Sequence, residues 1–79
     1  MRLDKFLKVS RIVKRRTVAN EMCSLGRVLI NDKVAKPGSV VKSGDRISIQ
    51  FGNYVRSYEV LEVNDNVLKE NAANLYREI

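Results

Sequence analysis

Seven cations fall within the first sixteen positions of the chain: Arg2, Lys5, Lys8, Arg11, Lys14, Arg15 and Arg16. One acid, Asp4, accompanies them, so this stretch alone carries the whole formal charge of +6. Positions 17–79 hold eight basic and eight acidic side chains and cancel. Spread evenly, such a charge would speak only for solubility. Concentrated on one segment, it sets up a potential that recruits a polyanion. Arginine adds bidentate phosphate binding and stacking on unpaired bases, a chemistry suited to irregular RNA. Lys14, Arg15 and Arg16 also arrive just before a predicted helix, whose free N–H groups and dipole favour phosphate. Cations oppose that dipole, so stability is a poor reason to place them there. A solvated helix face is the alternative reading of any charge run.

Other chemistries lack their reagents. There is no histidine to act as a general base or metal ligand, and Cys23 is the one cysteine, too few for a zinc site or an internal disulfide. Gly26, Gly38, Gly44 and Gly52 are spaced as punctuation and form no phosphate loop. Glu59 and Glu62 lie in a strand pattern and read as surface residues. No catalysis, cofactor or metal is therefore expected. With 79 residues, 44% apolar and 30% charged, the chain reads as one globular domain with a thin core. No apolar run approaches the roughly 20 residues that span a bilayer, and the basic start has no signal-peptide core. A cytoplasmic, reducing setting is expected, with Cys23 a small buried residue on a helix.

The elements that must position the cations follow from periodicity. Leu3, Phe6 and Leu7 share one stripe of a short helix, which places Asp4, Lys5 and Lys8 on the opposite face and Arg2 on its flank. Positions 10–16 read as a connector with Ile12 and Val13 tucked inward. A second helix follows, with Thr17 as N-cap, Val18, Met22 and Leu25 on its inner face beside Ala19, and Gly26 as its left-handed stop. The period then changes from 3.6 to 2. Strands are predicted over 27–31 and 45–51, with turns at Asn31-Asp32-Lys33, Lys36-Pro37-Gly38 and Ser43-Gly44-Asp45. Ile47, Ile49 and Phe51 point inward. Gly52-Asn53 turns the chain into a last strand over 54–63, whose broken phase predicts a bulge near Val60 or Leu61. Tyr54 and Tyr58 are expected to pack rather than stack on bases. Asn64, Asp65 and Asn66 break the sheet. Leu68, Ala72, Leu75 and Ile79 then predict an amphipathic C-terminal helix over 65–79, docked on the sheet. The class is α+β.

The ordered series Arg2-Leu3-Asp4-Lys5-Phe6-Leu7, Ser10-Arg11, Lys14-Arg15-Arg16-Thr17 with Ala19, Gly26-Arg27-Val28-Leu29-Ile30-Asn31, Lys36-Pro37-Gly38, Val41-Lys42 and Gly44-Asp45-Arg46-Ile47 resembles the RNA-binding domain named after ribosomal protein S-four. The resemblance implies a two-helix RNA-binding motif packed on a small, mainly antiparallel twisted sheet. It assigns 1–64 to that domain and leaves 65–79 as the terminal helix. It implies that Arg2, Lys5, Arg11, Lys14, Arg15 and Arg16 face RNA, and Lys8 joins them by its position. Phe51-Gly52 and Ala72-Ala73-Asn74-Leu75-Tyr76 extend the likeness to the stand-alone, RqcP-like members of ribosome-associated quality control, relatives of heat-shock protein fifteen. This implies a monomer that binds the large ribosomal subunit through 23S rRNA and the P-site peptidyl-tRNA. It would support C-terminal alanine tailing by an RqcH-like protein, with no membrane partner. Recycling of aborted large subunits and a detached targeting module of an rRNA-modifying enzyme stand as alternatives.

Overall fold

Leu3, Phe6 and Leu7 fulfil their helical spacing: α1 spans Leu3–Val9, and all three side chains are fully buried. Burying each contributes about 1.5–3 kcal/mol, so this short helix is held by packing rather than by propensity. The chain, described for residues 1–65 and 67–79 in a computed structural model, continues through a connector in which Val13 is buried and Ile12 packs against the core. The second helix, α2, covers Arg16–Ser24. Arg16 therefore belongs to the helix and not to the connector. Thr17 is inside the first turn, and Arg15 occupies the N-cap position without a side-chain cap. The inner face is also rotated from the expected one. Ala19 and Cys23 are buried and Met22 packs against the core, while Val18 and Leu25 are 42% and 59% exposed. The fully buried positions of α2 are thus held by small residues, with the larger Met22 packing at the margin of the core. Gly26, at φ +74°, ends the helix in the left-handed region as expected.

Five antiparallel strands follow: β1 (Val28–Ile30), β2 (Lys33–Val34), β3 (Arg46–Phe51), β4 (Tyr54–Val60) and β5 (Tyr76–Glu78), ordered β2-β1-β3-β4-β5. Asn31 and Asp32, at φ +51° and +68°, form the two-residue turn between β1 and β2. The Asn31 amide donates to Asp45 Oδ1 at 3.0 Å, and its carbonyl oxygen accepts the Arg46 amide at 3.0 Å. The hairpin is thereby locked to the Gly44-Asp45 turn. In β3, Ile47 and Ile49 are fully buried and Phe51 half-buried.

The end of the chain differs from its expected form. The last long strand stops at Val60 and its register with β3 is unbroken, so no bulge is needed. Tyr58 and Val60 stay in the inward phase, and Leu61 simply lies outside the strand at 45% exposure. Asn66, part of the expected sheet break, lies outside the described residues. The helix that follows is a single 3₁₀ segment, Lys69–Leu75, rather than a helix reaching Ile79. Ala72 and Leu75 bury as expected, whereas Leu68 and Ile79 are each 64% exposed. Beyond Leu75 the chain extends as β5 and pairs with β4 through Tyr58–Glu78, Glu59–Arg77 and Val60–Tyr76. The apolar spacing of 65–79 suits either state, and the unpaired edge of β4 decides it by offering hydrogen-bond partners for the last residues. Tyr58 is a core residue as expected. Tyr54 is 53% exposed and stacks on Phe51, their ring centroids 5.8 Å apart.

Cys23 is 2% exposed. Burial, and then the charge of Asp4, push its thiol up to about 11. Two outcomes are expected. An alkylating reagent at neutral pH should modify Cys23 only at the rate of unfolding, which urea titration of the alkylation rate would reveal. Because the folded value is raised above the ordinary 9.0, the linked stability is full below pH 9 and is lost as pH climbs towards 11. Thermal melts across that range would show the decline.

Candidate nucleic-acid interface

Asp4 organises the basic segment from beneath. Its side chain is 3% exposed, not displayed on the polar face of α1 as its helical position suggested. Arg2 spans it with two bonds, Nε to Oδ1 at 3.2 Å and Nη2 to Oδ2 at 3.3 Å. From α2, Arg16 Nη2 donates to Oδ1 at 3.4 Å and Asn20 Nδ2 to Oδ2 at 3.3 Å. Arg16 and Asn20 stand four residues apart on one face of α2, the spacing that lets both reach a single group. Backbone bonds fix the start of the chain as well. The Leu3 amide donates to Ser39 O at 2.8 Å, the Asp4 amide to Pro37 O at 3.1 Å, and the Val41 amide to Met1 O at 2.8 Å. These explain why the Lys36-Pro37-Gly38 turn is needed at this place.

Burial raises the Asp4 carboxyl, but the Asn20 and Arg2 hydrogen bonds and the charges of Arg16 and Arg2 outweigh it. The group is held below its ordinary 3.8. The two arginines are not consumed by this arrangement. Their side chains are 54% and 48% exposed, and a guanidinium has five N–H donors, so each turns part of its fork to solvent. Lys5, 39% exposed, donates to Asp65 Oδ2 at 3.1 Å. That hydrogen bond, and then the charge of Lys5, lower the Asp65 carboxyl. Arg2, Lys5 and Arg16 line one open hollow together with Asp65.

The other four cations are arranged differently. Lys8 is half-buried in the last turn of α1, where a cation suits the helix dipole. Arg11, Lys14 and Arg15 are exposed. None of the four has an ion-pair partner among the described residues. Arg11 and Lys14 line a second hollow beside the C-terminal segment, and Lys8 and Arg15 line neither. The basic segment is thus one braced cluster and one set of free cations. Sequence reasoning missed Asp4 as the brace and Asn20 altogether. The available signal was one acid among seven cations, four residues from Lys8 and twelve from Arg16.

Replacing Asp4 with Ala should destabilise the fold by about 1–3 kcal/mol, the cost of the hydrogen bonds it accepts, as read by urea denaturation. Asp4 also makes stability depend on acid. Its folded-state value is depressed, so its contribution is present above pH 3.8 and is lost as pH falls through the lower folded-state value. Asp4→Asn should flatten that part of the acid-unfolding curve. An unchanged curve would count against the brace.

Comparison with known proteins places this geometry. Residues 1–47 match the family model described as the S4 domain. A protein of Halalkalibacterium halodurans named RQC P-site tRNA stabilizing factor is 54% identical over 76 residues, covering 96% of this chain and 86% of that protein. The protein of the same name from Bacillus subtilis is 51% identical over 76 residues, with 96% and 88% covered. Among solved structures, the trimeric heat shock protein 15 of Vibrio cholerae superposes with a TM-score of 0.89 at 32% identity, covering all of this chain and 81% of that one. The overall fold is shared with that structure, and the chain belongs to the S4 domain family.

Proposed function

We propose that this protein is a non-catalytic RNA-binding factor of ribosome-associated quality control, holding the P-site tRNA on the large ribosomal subunit. The observation that carries the reading is the braced pair of guanidiniums. Arg2 and Arg16 are fixed by a buried carboxylate, yet each is about half open to solvent. A guanidinium held in place before its ligand arrives loses less rotamer entropy on binding phosphate. The first turn of α2 adds amides with no side-chain cap, beside Arg15 and Arg16. The names of the relatives support tRNA as the ligand and quality control as the process.

In this reading Arg2, Lys5, Lys8, Arg11, Lys14, Arg15 and Arg16 contact 23S rRNA and tRNA backbones. A small rigid body with one basic face bridges the two RNAs. The protein works as a monomer in the cytoplasm, and an RqcH-like partner adds the alanine tail while the tRNA is held. Likeness to the heat shock protein 15 structure favours one second reading, recycling of aborted large subunits. The two share their binding chemistry and differ in product. Alanine tails formed in a reconstituted system with the RqcH-like partner support the first, and their absence despite subunit binding supports the second.

Binding should respond to salt with a log–log slope of roughly −3 to −5, as for about four to six neutralised phosphates. Arg16→Ala or Arg2→Ala should weaken subunit and tRNA binding and reduce that slope by about one. Each substitution also removes one partner of Asp4, so circular dichroism must show the variants folded at the assay temperature. A flat salt response would contradict a basic-face contact. In stalled cells, the tagged protein should sediment with large subunits and cross-link to tRNA and 23S rRNA. Cross-links confined to small-subunit or messenger RNA would overturn the pathway.

A further inference from the structure

The second hollow, of about 550 Å³, opens between the connector after α1 and the C-terminal segment. Its size lies within the roughly 300–1,000 Å³ typical of small-ligand sites. Arg11 and Lys14 line it from the connector, and Ala72, Ala73 and Tyr76 from the other side of the chain's length. Two kinds of chemistry meet there: exposed cations without an ion-pair partner among the described residues, and an apolar wall containing one aromatic ring.

That ring is held ready. Tyr76 and Tyr58 meet in a T-shaped pair, with centroids 5.3 Å apart and planes at 84°. Its backbone is pinned to Val60 by the β4–β5 ladder. Arg11 supplies a second, independent observation. It sits at φ +66°, a left-handed conformation that glycine adopts freely and a side chain does not. No hydrogen bond, ion pair or ring contact among the described residues uses its guanidinium. The backbone there asks for glycine, and the chain carries a cation whose side chain the fold does not need. Strain of this kind gathers at functional positions.

The geometry points to this hollow as a site for one unpaired nucleotide of an RNA, its base against Ala73 and Tyr76 and its phosphate between Arg11 and Lys14. The site rests on the RNA-binding reading and adds to it a ligand class, unpaired RNA, and a role for the C-terminal segment. Stacking on a base face and contact with a phosphate carry little sequence information, so recognition is of strandedness rather than of base identity. Ser10, which also borders the hollow, is fully buried, and its hydroxyl is already engaged with Leu7 O at 3.3 Å and the Ile12 amide at 3.4 Å.

Arg11→Gly separates function from fold, because it relieves the backbone and removes the cation together. Its melting temperature should equal or exceed that of the wild type. Its affinity for a short labelled oligouridylate should fall roughly five- to tenfold, as for the loss of about 1 to 1.4 kcal/mol. Ala73→Glu, at an exposed position, should act in the same direction by placing a carboxylate in the wall. A base-paired RNA of equal length should bind with much less sensitivity to either change. The inference fails if both variants bind oligouridylate like the wild type while Arg16→Ala weakens it, an outcome that leaves the RNA-binding reading standing. It fails too if both variants weaken duplex and single strand equally, since the contact would then be to phosphate alone. Wild-type protein that binds neither RNA would overturn the inference and the RNA-binding reading together.

Discussion

A carboxylate taken out of water must be matched by donors, and the requirement of Asp4 shapes the braced part of the basic end of this molecule. Four donor groups on three residues answer it, two from Arg2 beside α1 and one each from Arg16 and Asn20 on α2. The same group that costs desolvation joins α1 to α2, and its carboxyl, held below the ordinary value, shows that the attraction prevails. Removing one partner of a buried charge is far worse than never having buried it. Under the proposed function, structure and recognition are therefore inseparable at Arg2 and Arg16. Each guanidinium is ordered by the fold on one edge and offered to solvent on another.

Much of this was legible from residue order. The stripe Leu3–Phe6–Leu7, the alternation of Ile47 and Ile49, and the left-handed Gly26 each follow from a local rule, and each is present. The polar facts were harder. Helical spacing sets Asp4 off the Leu3–Phe6–Leu7 stripe, but spacing says nothing about which neighbouring element will cover it, and α2 does. The rotated face of α2 has the same origin. Valine is more hydrophobic than alanine, yet Ala19 and Cys23 face the core and Val18 and Leu25 do not. At the C-terminus the 3.6-residue spacing of Leu68, Ala72, Leu75 and Ile79 was genuine, and only two of the four bury. Competition from an open strand edge is a tertiary matter, invisible in a window of fifteen residues.

The molecule divides its work between a rigid layer and a decorated one. The sheet contributes the buried row Ile47–Tyr58 and the pair of buried Val60 with half-buried Tyr76, which carry no charge toward the core. The helices and their connector carry the cations. Acid–base pairs on the sheet, Arg46 with Asp32, Arg56 with Glu78 and Arg77 with Glu59, neutralise that side locally. The charge asymmetry of the sequence thus becomes a directional field in space, which orients an approaching polyanion before any contact forms.

The outer strands of the sheet, β2 and β5, are two and three residues long. Each carries charge, Lys33 on one and Arg77 and Glu78 on the other, all exposed. An open sheet with long apolar borders would template the addition of foreign strands, a hazard for any small β-rich protein. These abbreviated, charged borders leave no run long enough to recruit an extended peptide. A protein working beside incompletely synthesised chains, themselves unfolded and rich in unpaired backbone, would be shielded by such borders from co-aggregating with them.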